Sequence, residues 1–237
     1  MSLSLYTKSY AGPPLVTDDP GILNPGQWEI NVAVDVVDTD AIETYDFPLL
    51  DVSYGLTVNT QISVFFSRQH VDLPYESTRS DFGYGEIGWK WRFFQNETVE
   101  IAFAPSYSVP LSNNATIRGV IEDTRLLNLP ILAGFTKDKW TFNGQLAYAT
   151  STSDINAVNY GLAAGYQLTQ RLQILAELYG FTTTRTSTTD MNYSLGFDYS
   201  FNDSLHLHLS GRSKLVSDLP DADHLNHGAY LALQWFK

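Results

Sequence analysis

Two groups of acidic and imidazole side chains are the first candidates for chemistry in this sequence. The run Thr17-Asp18-Asp19-Pro20 places two adjacent carboxylates beside a proline. Paired carboxylates attract Ca²⁺, but Asp side chains also accept hydrogen bonds from backbone amides just ahead of them, and proline fixes a bend. We therefore expect a turn at residues 17–20 and treat a cation site as the less favoured alternative.

The second group contains two histidines and an aspartate. His206 and His208 share one face of a strand, and Asp198 should lie opposite His208 across a tight turn at 202–204. Two imidazoles and a carboxylate can bind a transition metal, but we favour a hydrogen-bonded polar cluster and predict neither a metal nor a cofactor. No serine, histidine and carboxylate fall together on the apolar face, where an enzyme acting on membrane lipid would need them. We therefore assign no catalytic residue.

Most other charged side chains fall on the same polar face as these histidines, which would line the lumen if the chain forms a barrel. The expected lumen-lining residues are Glu29, Asp35, Asp51, Glu86, Lys90, Arg92, Glu100, Glu177, Asp198, His206, His208, Arg212 and Lys214. These side chains could pair with one another and fill the interior, or they could form a slightly acidic constriction with charges of both signs. The two interpretations are compatible in one lumen. Arg92 and Glu100, on either side of a turn, should lie within salt-bridge reach.

The elements that position these residues follow from a two-residue period. From Trp28 to Val36 every second residue is apolar, and the residues between are polar or small. Such alternation is typical of a strand whose two faces meet different environments. Twelve such segments begin near residues 27, 45, 60, 85, 98, 126, 139, 157, 171, 189, 204 and 228. Each is roughly 9–14 residues long, which matches the roughly 9–11 residues that a tilted strand needs to cross a bilayer. No convincing 3.6-residue period predicts a helix.

The connections between these segments alternate between tight turns and longer polar loops. The turns fall at 57–60, 95–98, 136–139, 168–171 and 202–204. The loops fall at 38–44, which is short, and at 68–84, 110–125, 151–157, 182–190 and 215–227. Short periplasmic turns and longer extracellular loops are typical of outer-membrane barrels. An even number of strands then leaves both chain ends on the periplasmic side.

The two faces of the segments favour a membrane barrel over a soluble β-sandwich. A sandwich usually carries many charges outside, whereas here the polar faces carry mainly Gly, Ala, Ser, Asn, Gln and Thr, and all five tryptophans fall on the apolar face. Amphipathic rings form girdles at the two membrane interfaces. The expected girdles contain Trp28, Trp91, Trp140 and Trp235 on the turn side, and Tyr45, Tyr107, Tyr148, Tyr160 and Tyr193 on the loop side.

Composition excludes several other classes of protein. The 237-residue chain has a formal net charge of −12, whereas nucleic-acid binding needs a basic surface. It has no cysteine, which excludes disulfides and thiolate metal sites. The first ten residues lack an apolar core and a small-residue cleavage site, so we expect an exported protein whose signal peptide is absent from this sequence.

Three segments resemble a family of bacterial outer-membrane proteins. GPPLVTDDPGILNPGQWEI (12–30) is similar to that family's opening, a G-P-P-hydrophobic-x-T-D-D-P run followed by a G-x-W-E strand start. LLDVSYGLTVNTQISV (49–64) and GYGEIGWKWRFFQ (83–95) are similar to two further stretches. The family is linked to the phenol meta-cleavage pathway (the MetA-pathway of phenol degradation type). The resemblance implies a monomeric barrel through which small, often hydrophobic compounds diffuse.

Together these features predict an all-β fold, an antiparallel up-and-down transmembrane β-barrel of about twelve strands over residues 26–237. The N-terminal extension, residues 1–25, either plugs the lumen or stays in the periplasm. We expect a monomeric channel of the cell outer membrane for passive diffusion of small, hydrophobic or aromatic molecules through a polar lumen. Its expected partners are outer-membrane lipid and the permeant, and no nucleic acid. Two alternatives stay open: a barrel enzyme acting on lipid, and a soluble β-sandwich binding module.

Overall fold

The structure is a computed structural model that describes residues 15–72, 77–153, 156–219 and 224–237. Thirteen antiparallel strands contain most of the described residues. They are β1 (Trp28–Asp38), β2 (Glu43–Thr57), β3 (Thr60–Asp72), β4 (Arg79–Gln95), β5 (Val99–Phe103), β6 (Ser106–Pro110), β7 (Leu126–Lys137), β8 (Trp140–Ser151), β9 (Asn156–Gln167), β10 (Leu172–Thr183), β11 (Thr189–Asn202), β12 (Leu205–Ser217) and β13 (His227–Phe236). One short helix, α1 (Asn113–Ile117), lies between β6 and β7. In these described ranges, no helix combines the length and apolar character needed to cross a membrane.

Hydrogen bonding between β1 and β13 closes the sheet into a barrel. β1 pairs with β2 on one side and with β13 on the other, and the remaining strands except β5 and β6 pair with those before and after them. β5 and β6 share one position in the wall, because both pair with β4 and β7 and only Ala104 and Pro105 separate them. The wall therefore has twelve strand positions. The predicted twelve-stranded antiparallel barrel with almost no helix is confirmed.

The strand bounds differ from the prediction mainly at the loop-side ends of β3 and β4. The predicted loop at 68–84 is wrong over most of its length, because β3 continues to Asp72 and β4 begins at Arg79. The ladder of backbone hydrogen bonds continues there, with Arg68 opposite Phe82. Alternation does not mark these residues, since a strand that extends beyond the apolar band can carry polar side chains on both faces.

The two faces of the wall differ as the alternation predicts. Large apolar side chains on the outside are exposed: Val32, Ile62, Val64, Ile87, Ile131, Phe142, Leu146, Leu162, Ile174, Leu178, Leu195, Leu209, Leu231 and Leu233. Polar side chains on the inside are buried: Asn31, Ser53, Gln61, Asn143, Ser194 and Ser210. An apolar exterior around a polar interior suits a barrel surrounded by lipid.

Aromatic side chains lie near both ends of the outer face. The five tryptophans are 40–47% exposed. Four of them lie within four residues of a strand end on the short-turn side: Trp28, Trp91, Trp140 and Trp235. Five tyrosines lie within four residues of a strand end on the long-loop side: Tyr45, Tyr107, Tyr148, Tyr160 and Tyr193. Rings at these two levels suit the two interfaces of a bilayer.

The connection between β6 and β7 forms a small apolar core of its own. Ala115 of α1, Val120 and Ile121 form one buried apolar cluster with Val71 near the end of β3. The hydroxyl of Ser112 accepts a hydrogen bond from the Ala115 amide at 3.3 Å, which caps the helix. This loop is therefore held against β3 by burial of apolar side chains.

Closure of the sheet predicts resistance to detergent. A closed barrel has no free strand edge, and its backbone groups pair along the whole wall. We expect an unheated sample in SDS to migrate differently from a heated sample, because the barrel stays folded until it is heated. Paired electrophoresis of detergent-extracted protein measures this. Identical migration, together with solubility in detergent-free buffer, would contradict a membrane-embedded barrel.

Candidate functional site

Residues 15–27 precede the first strand, and we call them the lumen segment. Its first part, up to Leu23, lies inside the barrel against the inner wall, and Asn24, Pro25 and Gly26 form an exposed turn next to β1. Leu23 is buried, and its amide donates a hydrogen bond of 3.0 Å to Oε1 of Gln61 on the inner wall. Nearer β1, the Gly26 amide donates to the Gly55 carbonyl oxygen at 2.8 Å. A twelve-stranded wall leaves space in its interior, and the lumen segment occupies part of it.

Two glycines of the wall make room for the lumen segment. A Cβ atom on Gly161 would overlap the hydroxyl of Thr17, and one on Gly134 would lie 2.7 Å from Cγ of Pro20. Real Cβ atoms essentially never approach other atoms so closely. Glycine is required at both positions for the backbone of the wall to approach the lumen segment.

Buried polar side chains of the wall hold the backbone of the lumen segment. The carboxylate of Glu177, itself buried, accepts hydrogen bonds from the amides of Val16, at 3.1 Å, and Thr17. Oε1 of Gln145 accepts from the Asp18 amide at 3.0 Å. Burying a carboxylate is unfavourable unless it accepts hydrogen bonds. The amides of the lumen segment therefore stabilise the buried Glu177, and Glu177 in turn holds the lumen segment in place.

The two aspartates of the lumen segment form a turn and contact a lysine of β4. Asp18 Oδ1 accepts from the Asp19 amide at 2.7 Å, and Asp19 Oδ1 accepts from the Gly21 amide at 2.6 Å, so the predicted turn is confirmed. Lys90 Nζ donates to Asp18 Oδ1 at 2.8 Å and to the Asp19 carbonyl at 2.7 Å. Burial raises the pKa of the Asp19 carboxyl, and the Lys90 ammonium opposes that rise.

A cavity of about 500 Å³ lies between the lumen segment and the inner wall, and we call it the acidic cavity. Seven carboxylates line it: Asp18, Asp19, Glu29, Asp35, Asp46, Asp51 and Glu86. Two cationic side chains also line it: Lys90 and Arg212. Arg212 Nη2 donates to both carboxylate oxygens of Asp35 at 2.7 Å. This excess of negative charge attracts cations and repels anions.

Arg92 and Glu100 form an ion pair, with 2.6 Å between Nη1 and Oε1, so the predicted salt bridge is confirmed. The two residues are less directly opposite than the turn suggested. Arg92 lies opposite Ala102 and Glu100 lies opposite Gln95, because the register shifts between Arg92 and the following residues of β4. The long Arg side chain reaches across that diagonal.

Replacing Arg92 with glutamine should destabilise the barrel. The guanidinium is buried and donates both to Glu100 and, at 2.9 Å, to the Val58 carbonyl, so its loss leaves two acceptors without this donor. We expect the free energy of unfolding to fall by about 1–3 kcal/mol. The Glu100 contribution is at the low end because that side chain is partly exposed and solvent screens the ion pair. The measurement is the temperature at which the SDS-resistant band disappears. Lys137→Gln, at the exposed end of β7, is the matched control, and an equal shift there would implicate net charge alone.

His206, His208 and Asp198 come together on the inner face. Asp198 lies opposite His208, as predicted, and its Oδ1 is 3.2 Å from Nδ1 of His206. His208 Nε2 is 3.0 Å from Gln234 Oε1, and Ser200 Oγ is 3.3 Å from the same His206 Nδ1. A nucleophile and an orienting carboxylate must use different ring nitrogens of a catalytic histidine. The group is a hydrogen-bonded cluster, without the geometry of a hydrolase relay.

The other predicted lumen residues form separate groups along the barrel. Glu29, Asp51 and Glu86 line the acidic cavity. Lys214 lies near the long-loop end of β12, with its Nζ 2.6 Å from Nε2 of His224. Within the chain that the structure describes, no group of three or more His, Asp or Glu side chains is arranged to hold a metal ion.

Several residues of the acidic cavity are missing from the sequence-based set, among them Asp46 and Tyr230. Asp46 faces inward because a bulge between Asp46 and Leu49 shifts the alternation of β2, and the Ser67 hydroxyl donates to its carboxylate at 2.7 Å. Pro48 could have indicated this bulge, since proline cannot donate within a ladder. Tyr230 also faces inward, and its alternation with the outward-facing Leu231 and Leu233 that follow it in β13 indicates this from the sequence.

No protein-family model and no curated protein matches this sequence. Among solved structures, the chain is similar to the COG4313 outer membrane channel from Pseudomonas putida F1, with a TM-score of 0.72 and 13% identity over 92% of this chain and 98% of that chain. It is also similar to the NanC porin, with a TM-score of 0.62 and 8% identity over 88% of this chain and 99% of that chain. The CymD monoaromatic hydrocarbon channel gives a TM-score of 0.51 and 8% identity over 91% of this chain and 89% of that chain. The chain shares the barrel fold of these proteins.

Proposed function

We propose that the protein is a monomeric channel of the bacterial outer membrane through which small molecules diffuse passively. The observation that carries the proposal is the acidic cavity, about 500 Å³ of space inside a closed wall with an apolar exterior. Polar and charged lining is wetted, so small solutes can enter it. The outer-membrane channels that share this fold support the same role.

The permeants that we infer are small, and neutral or cationic, with an aromatic or otherwise apolar part. The acidic lining disfavours anions. Phe65, Tyr230 and Leu49 supply apolar surface in the same cavity. Two similarities support aromatic compounds: CymD is described as a monoaromatic hydrocarbon channel, and the opening motif resembles a family linked to phenol degradation.

Uptake by proteoliposomes tests the channel proposal. Vesicles that contain the folded full-length protein should take up arabinose faster than protein-free vesicles, and sucrose more slowly than arabinose, because the lumen segment narrows the path. Arabinose is polar, so its leak through lipid is small. Uptake no faster than in protein-free vesicles would count against a channel.

A further inference from the structure

We propose that the acidic cavity is a binding site for a small organic cation, an ammonium compound with an aromatic or other apolar body. The proposal rests on the proposed function only in treating this ligand as a permeant, since binding itself is independent of transport. Three features of the cavity carry it: its unbalanced charge, an unpartnered tyrosine, and its size and apolar surface.

The charge of the cavity is unbalanced after its ion pairs are formed. Lys90 pairs with Asp18, and Arg212 pairs with Asp35. Five lining carboxylates form no ion pair with a lysine or arginine of the described ranges: Asp19, Glu29, Asp46, Asp51 and Glu86. Grouping carboxylates away from bulk water is unfavourable unless positive charge compensates them. A cation from solution can supply that charge.

Tyr230 provides an independent indication of a ligand. Its side chain is only 9% exposed and lines the cavity, and its hydroxyl has no hydrogen-bond partner among the described residues. Asp35 lies directly opposite Tyr230 on β1, and Asp51 lines the same cavity. Buried tyrosine hydroxyls usually find a partner. A bound ammonium group can donate to the phenol oxygen or lie over the ring while it pairs with a nearby carboxylate.

The size and lining of the cavity favour an organic cation over a metal ion. About 500 Å³ falls in the range of small-molecule sites. The described carboxylates do not converge in groups of three on one point, as a metal would require. Phe65 and Leu49 add apolar surface beside the carboxylates, which suits an ammonium compound with a ring.

Three probes with the same ring and different charge test the proposal: benzylammonium, benzyl alcohol and benzoate. Titration calorimetry of the full chain in detergent micelles should show saturable binding of benzylammonium. Benzyl alcohol should bind at least tenfold more weakly, and benzoate should not bind. Asp51→Asn and Tyr230→Phe should each weaken benzylammonium binding at least fivefold. Asp198→Asn, which removes a charge from the inner face outside the cavity, should leave it unchanged.

Several results would overturn the site. They are the absence of saturable benzylammonium binding, equal binding of benzyl alcohol, and an equal loss of binding in Asp198→Asn. A competition experiment compares the two salts. If CaCl₂ displaces benzylammonium at an ionic strength far below the one that NaCl requires, the cavity is a metal site instead. The SDS heat shift of each variant shows that it is folded. Arabinose uptake without benzylammonium binding would support the channel and contradict the cation site. Benzylammonium binding without arabinose uptake would support the cation site and contradict the channel.

Discussion

Deleting residues 1–20 should raise solute permeation through the barrel several-fold. The deletion removes Thr17 and Pro20, which pack against Gly161 and Gly134 of the inner wall, but leaves all the strands in place. The expected result is faster uptake of arabinose and measurable uptake of sucrose by proteoliposomes with equal amounts of folded protein. Unchanged uptake would mean that these residues do not limit permeation.

A pair of point variants separates release of the lumen segment from truncation. In Gly161→Ala the new methyl group overlaps the Thr17 hydroxyl, so the lumen segment should be displaced. Gly144→Ala is the matched control on the neighbouring strand β8, where the nearest atom to the new methyl group is Cδ2 of Leu162 at 3.5 Å. Arabinose uptake should increase for Gly161→Ala only. Equal behaviour of the two variants would contradict the docking that we describe.

The barrel itself was predictable because alternation repeats in every strand. A one-residue error in register would put the inward Asp35 among lipid and the outward Trp28 in the lumen, so the pattern fixes each face strongly. The tight turns were equally informative, since each is a short polar break between two alternating runs. The number of strand positions, the turn positions and the absence of long helices from the described ranges all follow from these local signals.

The interior was less predictable because it depends on bulges and on contacts between distant parts of the chain. The bulge at Pro48 turns Asp46 inward, and the register shift after Arg92 moves Glu100 to a diagonal position. The turn of residues 17–20 is a local property and was predicted. Its docking on Glu177 depends on a residue about 160 positions away, which no local pattern indicates.

The full chain should conduct cations in preference to anions. Removing two cavity carboxylates should reduce the cation-to-anion permeability ratio several-fold. Glu29 and Asp51 both line the acidic cavity, and neither forms an ion pair with a lysine or arginine in the described ranges. Negative charge in a narrow, low-dielectric path lowers the barrier for cations and raises it for anions. The measurement is the reversal potential in a planar bilayer under a KCl gradient, for the full chain and for Glu29→Gln combined with Asp51→Asn.

A second double variant shows whether the position of the charges matters. Asp138→Asn combined with Asp203→Asn removes the same net charge from exposed residues of two short turns. It should leave the reversal potential near that of the unmodified protein, because charges outside the lumen are screened within about 8–10 Å at physiological salt. An anion-selective full chain, or an equal change in both double variants, would show that the acidic cavity does not control which ions pass.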